Sequence, residues 1–284
     1  MSKLWSKALC FLTAAVMLFG AVGCSEKEGD ESRPGEQSSQ TQTESGDISE
    51  MTGLKKDATI LFMGDSITDG GRTDYSNKTF MGANHPKLFY DYMKKHFPDE
   101  KLTIYNTGVS GDTVLDQYFR LQEDCYDLNP DYIVMLLGVN DSWNFYKGKE
   151  VFEKSYRYLL DGITTNTDAK IILIQPYLFE PNEAMQKNCV IPDVGSYIPT
   201  VKEMGDVICR LAAEYKLDII YLAEILEQQH QKGTSYQEMA SDAIHPTQMT
   251  ARIMLDQIML KLGVKGYEPY FGTYDVSAIE NQYK

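Results

Sequence analysis

Residues Ala58-Thr59-Ile60-Leu61-Phe62-Met63-Gly64-Asp65-Ser66-Ile67-Thr68 decide the fold. The run from Ala58 to Met63 is apolar and short, as a buried strand is, and it stops at a Gly-Asp-Ser turn. Two further runs end the same way: Leu102 to Tyr105 leads into Asn106-Thr107-Gly108, and Tyr132 to Leu137 into Gly138-Val139-Asn140-Asp141. Lys170 to Ile174 and Leu217 to Leu222 complete the strand candidates. Amphipathic stretches lie between and after them, at Pro86 to His96, Val114 to Cys125, Glu150 to Thr165, Pro199 to Tyr215 and Thr247 to Leu262. Strands alternating with helices predict an α/β fold with a parallel sheet, right-handed crossovers and helices on both faces, a three-layer α/β/α sandwich.

In such a sheet the blocks that follow the strands gather on one rim, where open α/β sheets place their sites. Ser66, Gly108 and Asn140 each lie just past a strand, and Asp242-Ala243-Ile244-His245-Pro246 precedes the last long helix, which Pro246 and Thr247 are suited to start. A serine beside a histidine that an aspartate orients is a nucleophile with its base. A glycine N–H and an asparagine amide are uncharged donors suited to an oxyanion.

Other chemistries fit these residues less well. Gly70-Gly71-Arg72 lacks the lysine of a phosphate loop, and Asp65 and Asp69 would repel a phosphate. Asp65, Asp69 and Asp74 are spaced too widely for a calcium loop, and the histidines at 85, 96, 230 and 245 show no zinc spacing. Neither a metal nor an organic cofactor is expected.

The four blocks, in this order, resemble those of the SGNH, or GDSL-type, hydrolases across roughly residues 58 to 262. The likeness is closer still to the bacterial branch containing acetyl-xylan esterases. The segments that carry it are Gly64 to Arg72, Glu123-Asp124-Cys125-Tyr126-Asp127-Leu128-Asn129-Pro130-Asp131, and Trp143 soon after Asn140-Asp141. The resemblance implies a flavodoxin-like strand order. It also implies Ser66 as nucleophile, Asp242 and His245 as its triad partners, and Ser66, Gly108 and Asn140 as the oxyanion hole. Its implied activity is hydrolysis of acetyl or short acyl esters on carbohydrate, with a lipolytic esterase or thioesterase as the alternative and a silent carbohydrate-binding surface protein as a third reading.

The first 24 residues read as an address. Lys3 and Lys7 precede an apolar stretch, Ala8 to Ala21, and Ala21-Val22-Gly23-Cys24 closes it with small residues. This resembles a bacterial lipoprotein signal, which implies export and a lipid anchor at Cys24 on the extracytoplasmic face. Residues 25 to 56 are rich in Ser, Gln, Thr, Gly and Glu and predict a disordered polar tether. Residues 57–262 then form the hydrolase domain and 263–284 an aromatic tail that packs on it. With a formal net charge of −14, the chain is a poor partner for nucleic acid or anionic lipid. Cys125, Cys189 and Cys209 show no framework spacing, so a pairing among them stays open.

The remaining residues allow two uses each. Arg72 either orients a polar substrate or pairs with Asp69 or Asp74. Trp143, Phe145 and Tyr146 either face a sugar or acyl chain at the rim or pack against the next helix. Asp65 and Asp141 brace their turns, and His85, His96 and His230 are read as solvated. The stretch Pro176 to Tyr197 leaves a strand on the same rim and either contributes to a substrate pocket or is a surface excursion.

Overall fold

The computed structural model describes residues 48–144 and 147–284. Five strands, β1 (Thr59–Gly64), β2 (Thr103–Asn106), β3 (Tyr132–Leu136), β4 (Lys170–Ile174) and β5 (Asp218–Ile220), form one sheet in the order β2-β1-β3-β4-β5. Every neighbouring pair is parallel. This is the flavodoxin-like order, in which the chain switches direction between β1 and β3 and opens a crevice at their carboxyl ends.

Both faces are covered, so the strands are apolar throughout. Ile60 and Phe62 of β1 join Val134, Leu136, Ile172 and Ile174 against the His85–His96, Leu222–Gln231 and Gln248–Leu262 helices. Leu61 and Met63 point the other way, with Ile133, Met135, Ile171 and Leu173, onto the Lys149–Asn166 and Ile198–Tyr215 helices. The period of two along each strand thus feeds two cores at once.

Three boundaries differ from the sequence reading. The helix predicted over Val114 to Cys125 is broken at Arg120, whose N–H turns to Gln117 O and Tyr118 O, giving Val114–Phe119 and Leu121–Asp124. The strand predicted to Leu222 stops at Ile220 because Leu222, Ile225 and Leu226 are buried on one face of a helix. The tether predicted to run through Lys56 is shorter at its carboxyl end. Leu54 is fully buried, Ser49 N–H donates to Leu54 O at 2.7 Å, and Lys55 Nζ lies 2.6 Å from Asp131. A leucine in the core holds that segment where polar composition alone would have left it loose.

The tail packs on the domain through buried or half-buried polar contacts. Tyr267 donates to Asp256 Oδ1 at 2.6 Å, and Tyr283, at the end of a Ser277–Tyr283 helix, donates to Asp206 at 2.8 Å. Cys125, Cys189 and Cys209 are free thiols. Among the described residues no helix is long and apolar enough to cross a membrane, and no group of three or more His, Cys, Asp or Glu is placed to hold a metal. The signal segment, Cys24, Phe145 and Tyr146 lie outside the described residues.

Candidate active site

β1 ends in a turn that only a glycine can make. Gly64 has φ +155, and a Cβ there would stand 2.3 Å from Thr68 Oγ1 and 2.5 Å from Leu136 O. The chain then enters a single helical turn, Ser66–Asp69, capped by Asp65, whose Oδ1 accepts from Ile67 N–H at 3.0 Å. Ser66 is the first residue of that turn and is half-buried at the rim. Its own N–H is one of the donors that a helix start leaves without an intrahelical acceptor.

Asp242 and His245 arrive from the loop before the last long helix. Asp242 Oδ1 accepts from the N–H groups of Ile244 and His245 at 3.1 and 2.8 Å, and Ala243 takes φ +73 to close the loop. That folds the three-residue spacing back on itself, and His245 Nδ1 lies 2.6 Å from Asp242 Oδ2. His245 Nε2 lies 2.8 Å from Ser66 Oγ. With the proton held on Nδ1 by the carboxylate, Nε2 is the acceptor for the serine hydroxyl.

The electrostatics keep Asp242 charged and make His245 more basic. The hydrogen bond to Asp242 raises the His245 pKa more than burial lowers it. Burial works against the charged Asp242, yet the hydrogen bonds and charge of His245 outweigh it and hold its pKa below the ordinary value. Asp65 and Asp141 are different. Burial pushes each carboxyl up to about 7, against the lowering effect of the N–H bonds from Ile67 to Asp65 and from Val114 to Asp141. Asp65 braces its own turn as expected, whereas Asp141 accepts from the N–H of Val114 at the start of the Val114–Phe119 helix.

Asn140 is buried, and its Nδ2 donates one hydrogen to Asp112 O at 3.0 Å, which fixes the amide and leaves its second hydrogen for another acceptor. Gly108 differs from the sequence reading. Its N–H already donates to Asn106 Oδ1 at 2.9 Å, and the Asn106 amide is itself anchored to Thr68 O and Met81 O. Gly108 therefore serves first as a place of close approach: a Cβ there would sit 2.6 Å from Asp69 N and 2.9 Å from Thr68 Cβ. It can reach an oxyanion only by sharing its N–H with Asn106.

The structure also places Arg72 and Trp143, the two candidate substrate contacts. Arg72 is buried, with Nε 3.9 Å from Asp69 Oδ1 and its guanidinium over the Tyr75 ring, the ion-pair arrangement, and it also lines a cavity with Tyr75 and Arg120. Trp143 is half-buried, packed edge-on to Tyr197 with ring centroids 5.8 Å apart. His85 was expected in solvent but is 1% exposed, lies edge-on to Phe62, and has its pKa pushed down to about 3 by burial. It sits at the start of a core-facing helix, where its face pattern, rather than its charge, decides its place.

The sequence reading passed over Asp112, whose carbonyl holds Asn140 and whose carboxylate pairs with Arg120 and Gln117. It also passed over Tyr177, buried beside Asp242. Neither lies in a recognisable block, and both act through tertiary contacts.

Residues 60–258 match the GDSL-like lipase/acylhydrolase family. The chain belongs to that family. It is a carboxylic ester hydrolase, as the four ordered blocks implied. An acetylxylan esterase of Geobacillus stearothermophilus is 29% identical over 155 residues, 51% of this chain and 71% of that one. Among solved structures, LAE5, an α/β hydrolase enzyme from the metagenome of Lake Arreo in Spain, shares 25% identity with a TM-score of 0.63, covering 73% of this chain and 96% of its own. Axe2, an acetylxylan esterase from Geobacillus stearothermophilus, shares the fold at 23% identity and a TM-score of 0.62, covering 76% of this chain and 97% of its own.

Proposed function

We propose that this esterase removes acetyl or other short acyl groups from carbohydrate, with Ser66, His245 and Asp242 as its catalytic triad. The observation that carries the reading is the continuous contact from Ser66 Oγ through His245 to Asp242. Ser66 Oγ attacks the ester carbonyl while His245 Nε2 takes its proton. The oxyanion that forms accepts from the Ser66 N–H and the free Asn140 hydrogen, with Gly108 in a shared role. His245 then returns the proton to the leaving sugar hydroxyl, and water, activated by the same imidazole, releases the acid from Ser66.

The choice of acyl carbohydrate is supported by the acetylxylan esterase relative and by an acidic chain that disfavours anionic lipid headgroups. A small acyl pocket loses about 0.8 kcal/mol of burial for each methylene it cannot take in. Hydrolysis of p-nitrophenyl esters should fall steeply from acetyl to butyryl and be negligible at octanoyl, and acetate should be released from acetylated xylo-oligosaccharides. A preference for octanoyl esters without any acetate release from glycans would make the protein lipolytic instead.

The same proposal places the enzyme outside the cytoplasm, held by lipid at Cys24. It rests on the lipoprotein-like sequence around Ala21 to Cys24 and the polar stretch after it. Cys24→Ser should release the protein from the membrane fraction. Wild-type chain found in the cytosol with its first 23 residues intact would refute export.

A further inference from the structure

A cavity of about 570 Å³ is lined without Ser66, Asp242 or His245. It opens at the carboxyl ends of β4 and β5, on the same rim as Ser66 but toward the far edge of the sheet. Its floor is the segment Gln175–Glu180, which leaves β4 directly. That segment also touches the triad loop, because Phe179 N–H donates to Ala243 O at 3.1 Å, between Asp242 and His245. Parallel strands lie about 4.8 Å apart, so β4 stands about 10 Å from β1, a step that a short oligosaccharide spans and a single sugar does not.

The lining has the chemistry of a polyol site. Gln175 is 7% exposed, and its Oε1 finds no hydrogen-bond partner among the described residues. A buried polar atom without a partner is costly, and a ligand hydroxyl is one group that satisfies it. Tyr236, stacked between Phe179 at 5.0 Å and His230 at 4.0 Å, and the buried Phe179 add aromatic edges to the lining. Glu224 and Glu227 on the next helix add acceptors, and together with Glu180 and Asp206 they face one lysine, Lys202. Such a cavity repels acidic sugars and accepts neutral ones.

We propose that this cavity binds neutral sugar units two or more residues away from the acylated one, so that the enzyme selects oligosaccharides over short esters. The proposal deepens the acyl-carbohydrate reading and rests on it for the link to catalysis. It is tested with the whole enzyme and with Ala223→Phe, which fills the cavity from its half-buried helical wall. Ile198→Trp fills it from the opposite helix and serves if the first variant fails to fold.

Acetylated xylotetraose should have a KM about tenfold below that of acetylated xylobiose, the worth of one good ring contact. The filled variant should lose that advantage while p-nitrophenyl acetate turnover stays near wild type. Unacetylated xylotetraose, titrated by calorimetry, should bind wild type and not the filled variant. If xylotetraose binds neither protein, or binds both equally, and acetate release is independent of chain length, the distal site is wrong while the esterase reading stands. If xylotetraose binds wild type alone but no acetylated glycan is cleaved, the site stands and the substrate reading fails.

Discussion

The exits of β1 and β4 lie on one rim and were built for opposite ends. From β1 the chain passes through Asp65 straight into the Ser66–Asp69 turn, closed by Gly70 N–H donating to Ser66 O at 3.0 Å. From β4 it wanders from Gln175 to Tyr197, through a short Glu183–Asn188 helix capped by Asn182, before the next long helix starts at Ile198. The short exit leaves one position for the serine hydroxyl. The long exit begins along the 570 Å³ cavity, which Gln175–Glu180 line on one side and helical residues on the others. Reacting atoms must be held to a fraction of an ångström, whereas a sugar chain needs surface and acceptors.

The sharpest way to break this contrast is at the short exit. Ser66→Ala or His245→Ala should lower ester turnover on the order of 10⁴-fold or more with the fold intact by circular dichroism, because the triad acts as a unit. Near wild-type turnover by folded Ser66→Ala would remove the site from this rim. Asn140→Ala should cost on the order of 10²-fold in kcat with little change in KM, one oxyanion donor lost. A tenfold or smaller loss would return the main donor role to Gly108.

Gly108→Ala tests steric crowding rather than hydrogen bonding. With backbone 2.6 Å from the new methyl, it should destabilise the protein by about 1–3 kcal/mol, read as a lower denaturation midpoint. Unchanged stability would mean the Ser66 turn yields more easily than its packing implies.

The smallest effect concerns pH. The base must be neutral, and Asp242 raises the His245 pKa, so kcat/KM should climb with pH through a value above the ordinary imidazole pKa of about 6.5. Asp242→Asn should move the His245 titration, followed by NMR, to lower pH. An unmoved titration would show that burial and the other charges, not Asp242, set it.

Much of this was legible in one dimension. Short apolar runs ending in turns marked the first three strands within a residue or two, and the last block named the histidine and aspartate that line up behind Ser66. Other features obey local rules that were passed over: Leu222, Ile225 and Leu226 already had helical spacing.

What sequence alone determined, then, is whatever depends on period, turn chemistry and residue type: a doubly covered parallel sheet, the Gly-Asp-Ser turn, and a histidine with its aspartate three residues before it. Tertiary structure decided what depends on neighbours distant in the chain. Leu54 turned part of a polar tether into core, His85 went inside, and Arg72 was buried against Asp69. Asn106 took the Gly108 N–H, and burial carried Asp65 and Asp141 up to about 7. Each of these outcomes is set by desolvation or by competition for a single hydrogen-bond donor, and both depend on which surfaces meet once the chain has closed.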